Sequence, residues 1–479
     1  MHSNHKNITL EKDKVPLKEK LAYGIAGPVD ILAVWVLVAV AHNVFNMELL
    51  LTPVQVGIIL IALRFWDGIA DPLMGWISDN TRSRWGRRRP YIIVGAVISA
   101  CTYPLIWWFP SDFNQIQIMI WVIGFGILFY TCFTVWCIPF QSLLMEMTPD
   151  YDERTRVASF RSIFQSLSGL LVGACWMLSM LPIFHVDGVA SPINGMRWIS
   201  IIIAVVILIL GPLPGFFVKE RYYDKLIQNH GENSKTNLLT NLKAVFTCKP
   251  FVVLCVYIFL FLMSQSFYDT LERYVGTYYV FNGDWGRASD FTLIGTTIFV
   301  ITNISMIHFF NKLSAKTSKI KCLFIGTFLV CVMPFISIFT FNPDYPYLQF
   351  VGTFLKGAGY AGIWLMVPSI LADAIDYDEA DHGVRREGAF ASIFSWILKF
   401  SFCFGFLLSN PLLELTGFDA VNGSNQSELI LDNLRYGLLI IPTILFLLAL
   451  FSIKKFSLSR EATNAIRQKL ESVRGKINN

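Results

Sequence analysis

Apolar residues in this chain gather into long blocks, most of about 20 to 27 residues, separated by polar stretches that hold most of the charge. At about 1.5 Å of rise per residue, a helix of that length crosses a hydrocarbon layer of about 30 Å. Twelve spanning helices are predicted, at 20–46, 53–78, 91–110, 115–142, 157–182, 197–218, 250–281, 291–312, 320–340, 347–372, 389–414 and 434–455. The first and seventh are long enough to tilt or to include interfacial turns. A membrane β-barrel would instead show short alternating strands. The fold class expected is all-α and polytopic.

Composition narrows the function. The 479 residues are 54% hydrophobic and 15% charged, against about 25% charged in an ordinary soluble domain. A soluble fold cannot hide that much apolar surface. A cytosolic enzyme, a disordered chain and a nucleic-acid binder are excluded on this ground. The nine cysteines include no CxxC pair and the seven histidines no HExxH, so neither disulfides nor a metal site is expected.

Charge placement orients the spans. Arg82, Arg84, Arg87, Arg88 and Arg89 crowd one loop. Lys219, Arg221, Lys225, Lys235, Lys243 and Lys249 fill another, and Lys312, Lys316, Lys319 and Lys321 a third. The tail adds Lys454, Lys455, Arg460, Arg467, Lys469, Arg474 and Lys476, whereas the alternate loops carry almost none. The positive-inside rule puts both termini in the cytoplasm of a multi-pass plasma-membrane protein, a bacterial inner membrane being expected. The polar start at 1–19 reads as a cytoplasmic segment rather than a cleaved leader.

The stretch 219–249 divides the spans into bundles at 20–218 and 250–455, with a tail at 456–479. An internal repeat accompanies that division. Pro139, Asp150-Tyr151-Asp152-Glu153 and Ser162-Ile163-Phe164 correspond to Pro368, Asp376-Tyr377-Asp378-Glu379 and Ser392-Ile393-Phe394. Each acidic run is expected on a cytoplasmic loop between the fourth and fifth helix of its half. Parallel repeats of this kind build carriers with a central site.

A few charges lie inside the spans, where each costs about 2.5–3.5 kcal/mol on insertion scales. On the second helix, Arg64, Asp67 and Asp71 fall within a sector of about 60°. Two carboxylates one turn apart suit a coupling cation or proton; a helix-locking ion pair with Arg64 is the plainer alternative. Asp30 follows Gly24, Gly27 and Pro28, which loosen the first helix. Arg161 lies on the fifth helix and Lys399 on the eleventh; Asp269, Glu272 and Arg273 cluster on the seventh, with Lys356 on the tenth. Carboxylates and an Arg are natural ligands for a polyhydroxyl compound. Trp136, Gln141, Tyr268 and Trp364 are candidates for its flat faces, though such aromatics more often pack or anchor.

The run Asp67-Gly68-Ile69-Ala70-Asp71-Pro72, Gly75-Trp76-Ile77-Ser78-Asp79 and Arg84-Trp85-Gly86-Arg87-Arg88-Arg89-Pro90-Tyr91 resembles the glycoside–pentoside–hexuronide:cation symporters of the major facilitator fold. Asp376-Tyr377-Asp378-Glu379 with Gly383-Val384-Arg385-Arg386-Glu387-Gly388 resembles a second signature of that family. The likeness covers about residues 20–455. It implies a sugar-binding Asp30 and Arg161, a cation pair at Asp67 and Asp71, and Thr134 and Lys399 near that pair. Two departures bear on coupling. Ala70 stands where the sodium-coupled melibiose permease has Asn, and Cys137 where it has a fourth-helix Asp; Gln141 replaces its sugar-stacking Trp. A sodium ion wants several oxygen ligands, so coupling to H+ is expected before Na+.

The expected machine is thus a sugar symporter working by alternating access, with no cofactor beyond the co-transported ion. The loop from Asp79 through Arg87, Arg88 and Arg89 is expected to act as a cytoplasmic latch. Its acidic partners would be Asp150, Asp152, Glu153, Glu379 or Glu387. A lysolipid carrier and a non-transporting sensor are the alternatives on the same scaffold. The expected partners are a small-molecule sugar and the lipid bilayer, with no nucleic acid; oligomeric state is not legible.

Overall fold

A computed structural model describes residues 14–81, 83–148, 151–220, 245–383, 387–456, 462–463 and 465–466. Regular structure among them is helical, apart from one isolated β-bridge between Val186 and Val189. Helices α1 (Leu17–Ile25) and α2 (Gly27–Ala41) run into a π-helical turn at His42–Glu48. Then come α3 (Pro53–Asn80), α4 (Arg89–Thr102), α5 (Gln115–Met147), α6 (Tyr151–Ser179), α7 (Pro192–Leu210) and the short α8 (Leu213–Phe217). The second half has α9 (Lys249–Tyr274) with a π-helical turn at Val275–Val280, α10 (Trp285–Lys316), α11 (Lys319–Thr340), α12 (Gln349–His382), α13 (Glu387–Leu415) and α14 (Glu428–Ile453). Twelve helical stretches among the described residues are long and apolar enough to cross a membrane.

The described residues form two compact units. Unit 1 takes those up to Leu51 and from Phe65 through residue 220; unit 2 takes Thr52–Arg64 and those from residue 245 onward. In unit 1, α2 packs on α6 and α4 on α5. In unit 2, α9 packs on α13 and α14, and α12 on α10 and α11.

Helix ends follow local chemistry. Asn114 caps α5 in a reciprocal box, its side chain accepting the Gln117 amide at 3.0 Å while Gln117 accepts the Asn114 amide at 2.9 Å. Helix α12 stops where Gly383 turns left-handed at φ +70° and donates its amide to the Glu379 carbonyl at 2.8 Å. That stop corrects an expectation. The tenth span was expected to end at 372, leaving Asp376–Glu379 on a loop; α12 instead continues to His382 and carries the acidic run in its last turns. The other copy behaves alike, for Tyr151, Asp152 and Glu153 open α6. Acidic residues at polar helix ends interrupt hydropathy without interrupting the helix.

Between α1 and α2 the chain turns at Ala26, and Pro28, which has no amide hydrogen, sits in the first turn of α2. Gly27 lets α6 come close: a Cβ there would lie 3.1 Å from the Arg161 carbonyl oxygen and from the Gln165 Cγ. This close approach delivers Arg161 and Gln165 to α2.

Candidate substrate and coupling sites

Asp30, one turn into α2, meets Arg161 on α6. Arg161 Nη2 donates to Asp30 Oδ2 at 2.7 Å, and the same oxygen accepts Gln165 Nε2 at 3.0 Å. Residues 161 and 165 are one helical turn apart and so share a face. Arg161 Nη1 donates to the Tyr23 hydroxyl at 3.3 Å, and the guanidinium lies 5.0 Å from the Phe140 ring centroid. Phe140 stacks between Tyr23 and Trp136, at 4.7 and 4.6 Å. The pair is about four-fifths buried yet still open, each side chain being 18% exposed. Arg161 Nε is buried with no hydrogen-bond partner, leaving a donor unspent beside the carboxylate.

Cys137 and Gln141 border this pair. The Cys137 thiol donates to Asp30 Oδ1 at 3.6 Å and accepts Gln141 Nε2 at 3.2 Å. The charges of Asp30, Asp71 and Asp67 all act on Cys137, which places the expected substrate carboxylate and the expected cation pair around one side chain. Asp67 is buried on α3, and Asp71 accepts the Thr134 hydroxyl at 3.4 Å. The neighbouring Trp66 donates to Thr131 at 2.8 Å, tying α3 to α5 beside Asp67.

Trp136 sits in packing rather than on an open face: its ring is fully buried, Nε1 donates to the Gly211 carbonyl at 2.9 Å, and its backbone crowds Gly95 of α4. Trp364 is exposed on α12, and Lys399 lies on α13; both belong to unit 2. The Arg64 guanidinium lies 5.9 Å from the Phe402 ring centroid, within unit 2.

Arginines of the loop before α4 find a partner that the sequence reading did not include. Helix α5 runs on to Met147 and brings Glu146 beneath them. Glu146 Oε1 accepts Arg87 Nη2 at 2.6 Å and Arg88 Nε at 3.0 Å, while Arg88 Nη1 also donates to Ser78. Burial pushes the Glu146 carboxyl above its usual range despite both arginines. Arg89 Nε donates to the Gly215 carbonyl of α8 at 2.6 Å. Glu220 accepts the backbone amides of Arg87, Arg88 and Arg89 at 2.8, 2.9 and 3.0 Å, a carboxylate at a helix N-terminus. Glu153 is held by Lys20 at 2.6 Å, by the Val15 amide at 2.9 Å and by Arg156 at 3.0 Å. The side chains of Asp79, Asp152 and Glu387, and residues 150, 385 and 386, lie outside the described residues.

Unit 2 has a charged cluster of its own. Asp269 Oδ1 on α9 accepts Gln265 Nε2 at 2.6 Å and Lys356 Nζ from α12 at 2.5 Å. Glu272, one turn on, lies 3.9 Å from the same ammonium.

Ionisable groups paired inside apolar helices mark a permeation or binding path rather than a reaction centre. Residues 23–460 match the MFS/sugar transport protein family. The chain belongs to that family. It is a polytopic α-helical transporter, not an enzyme. The isoprimeverose transporter of Lactiplantibacillus pentosus is 22% identical, over 89% of this chain and 86% of its own. The sodium-dependent lysophosphatidylcholine symporter 1 of Xenopus tropicalis is 22% identical, over 97% of this chain and 91% of its own. A D-xylose-proton symporter structure matches with a TM-score of 0.60 and 14% identity, over 92% of this chain and 97% of that one, and shares the fold.

Proposed function

We propose that this transporter carries a sugar across the plasma membrane by alternating access, in symport with a proton. The observation that carries the reading is the Asp30–Arg161 pair, charged, directly bonded and open enough to meet a solute. A carboxylate that accepts and a guanidinium that donates suit adjacent hydroxyls. Gln165, Gln141 and Tyr23 offer further polar atoms around it, and Trp364 is the candidate stacking face. Asp67 and Asp71, with Thr134, take the coupling ion. Cys137 at their side supplies sulfur where sodium would want oxygen, which favours H+. Lys399 of the eleventh span is the further residue proposed for coupling.

Uptake of radiolabelled glycosides into vesicles tests this. A pH gradient should drive accumulation without sodium, and Asp67→Asn should abolish it. Sodium stimulation with no proton dependence would reject proton coupling. The likeness to a lysophosphatidylcholine symporter favours an amphiphile as second reading; lysolipid uptake that no sugar competes would establish it.

The basic loops support cytoplasmic termini, and a bacterial inner membrane is the proposed location. The loop carrying Asp79, Arg87, Arg88 and Arg89 is the proposed cytoplasmic latch, with Glu146 setting its arginines and Glu387 as an acidic partner. Neutralising Arg87 or Arg88 should then change transport rate while insertion stays normal; unchanged kinetics would reject the latch.

A further inference from the structure

The two carboxylates of the unit 2 cluster are served unequally. Asp269 accepts two close donors, from Gln265 at 2.6 Å and Lys356 at 2.5 Å. No hydrogen bond reaches the Glu272 carboxylate among the described residues; the Lys356 ammonium lies 3.9 Å from it. Yet Glu272 lies inside the seventh span, Lys249–Val280. An ionised carboxylate without donors is costly there. Protonation removes that cost and turns the carboxyl into a donor.

We propose that Glu272 is a proton-binding site in unit 2, with Lys356, bonded closely to Asp269, as the cation the two carboxylates share. The surroundings set this division of labour. The charges acting on Glu272 are those of Lys356, Asp269 and Arg273. The charges of both carboxylates act on the buried Tyr268 of α9 and on Tyr360 of α12. Lys399 and Glu414 of α13, and Asp432 and Arg435 of α14, the helices packed on α9, are not among the groups acting on Glu272. With both carboxylates ionised, the four charged groups sum to zero. A proton passed from hydronium to a Glu272 carboxylate oxygen releases a water molecule, breaks no covalent bond of the protein and leaves the cluster with one positive charge. Side-chain exposures of 31% for Glu272 and 20% for Lys356 leave room for that exchange. The alternative occupant, a metal cation, would compete with an ammonium already in place between the two carboxylates.

This site stands apart from the coupling role given to Asp67 and Asp71, and its test uses neither sugar nor gradient. Infrared difference spectra of the purified protein in proteoliposomes, stepped from about pH 9 to about pH 6, above the range in which ordinary carboxylates titrate, report carboxyl protonation directly. Part of the protonated-carboxyl band of the wild type should be lost in Glu272→Gln, and the same part should remain in Asp67→Asn. An unchanged band in Glu272→Gln overturns the proposal. Lys356→Met keeps Glu272 but removes its cation, so the midpoint of the same band should rise by about one pH unit or more. A midpoint that stays in place overturns the proposal even if Glu272→Gln fails to fold.

Discussion

The two units solve the problem of charge within apolar helices in different ways. In unit 1, one carboxylate, Asp30, collects a guanidinium, an amide and a thiol, and Arg161 is backed by the ring of Phe140. In unit 2, two carboxylates divide one ammonium, one at 2.5 Å and the other at 3.9 Å. The first arrangement has a planar fork fixed on two sides, which suits recognition of a directional ligand. The second has a point charge on a flexible stem between two acceptors, which suits a change of protonation. Pair for pair, the first has more to lose.

Arg161→Met should break the comparison most visibly. It leaves Asp30 without its cation, and stripping one partner from a buried pair costs about 3–5 kcal/mol. Glycoside uptake should fall by about 100-fold or more at unchanged membrane expression. Lys356→Met should cost less, about tenfold or under, because Asp269 keeps Gln265 and its side chain is 35% exposed. Equal losses in the two variants would erase the distinction between the units.

Trp136→Phe sharpens the boundary of the unit 1 site. It removes the bond to Gly211 and part of a buried ring, so thermal stability should drop by about 1–3 kcal/mol. Sugar affinity should be unchanged; a large loss of affinity would return Trp136 to the substrate.

The smallest effect is expected at the edge of unit 1. Burial opposes ionisation of Glu153, but Lys20, the Val15 amide and Arg156 outweigh it and hold its carboxyl below the usual range. A lowered folded value means stability that is present above the unfolded value of about 4.3 and lost as pH falls through the folded one. The difference in melting temperature between wild type and Glu153→Gln should therefore be present at neutral pH and fade in strong acid. A difference independent of pH would show that the carboxylate charge is not what anchors Lys20.

The twelve spans were legible because a hydrocarbon layer imposes length and hydropathy together. Helix ends beyond that layer were not, as Asp376 and Glu379 show: nothing apolar is required of a helix that continues into water. At the site, Asp30 and Arg161 stood out because charge is costly in an apolar block. Gln165 and Tyr23 are ordinary residues by composition, yet the i,i+4 spacing from Arg161 to Gln165 was a signal available to find the first. Glu146 was hidden by the assumption that α5 ended earlier. Trp136 shows the converse error, since an aromatic beside charged residues faces packing as readily as a ligand.

The Glu220 carboxylate, closed over three successive amides at the start of α4, bears on how the polypeptide can be divided. A break introduced just after Glu220 leaves its clasp on the Arg87–Arg89 backbone within one fragment. A break between Phe217 and Glu220 puts that clasp on the other fragment and exposes the helix start. Of two such split genes expressed as pairs, the first should reassemble more readily, although the cuts differ by only a few residues.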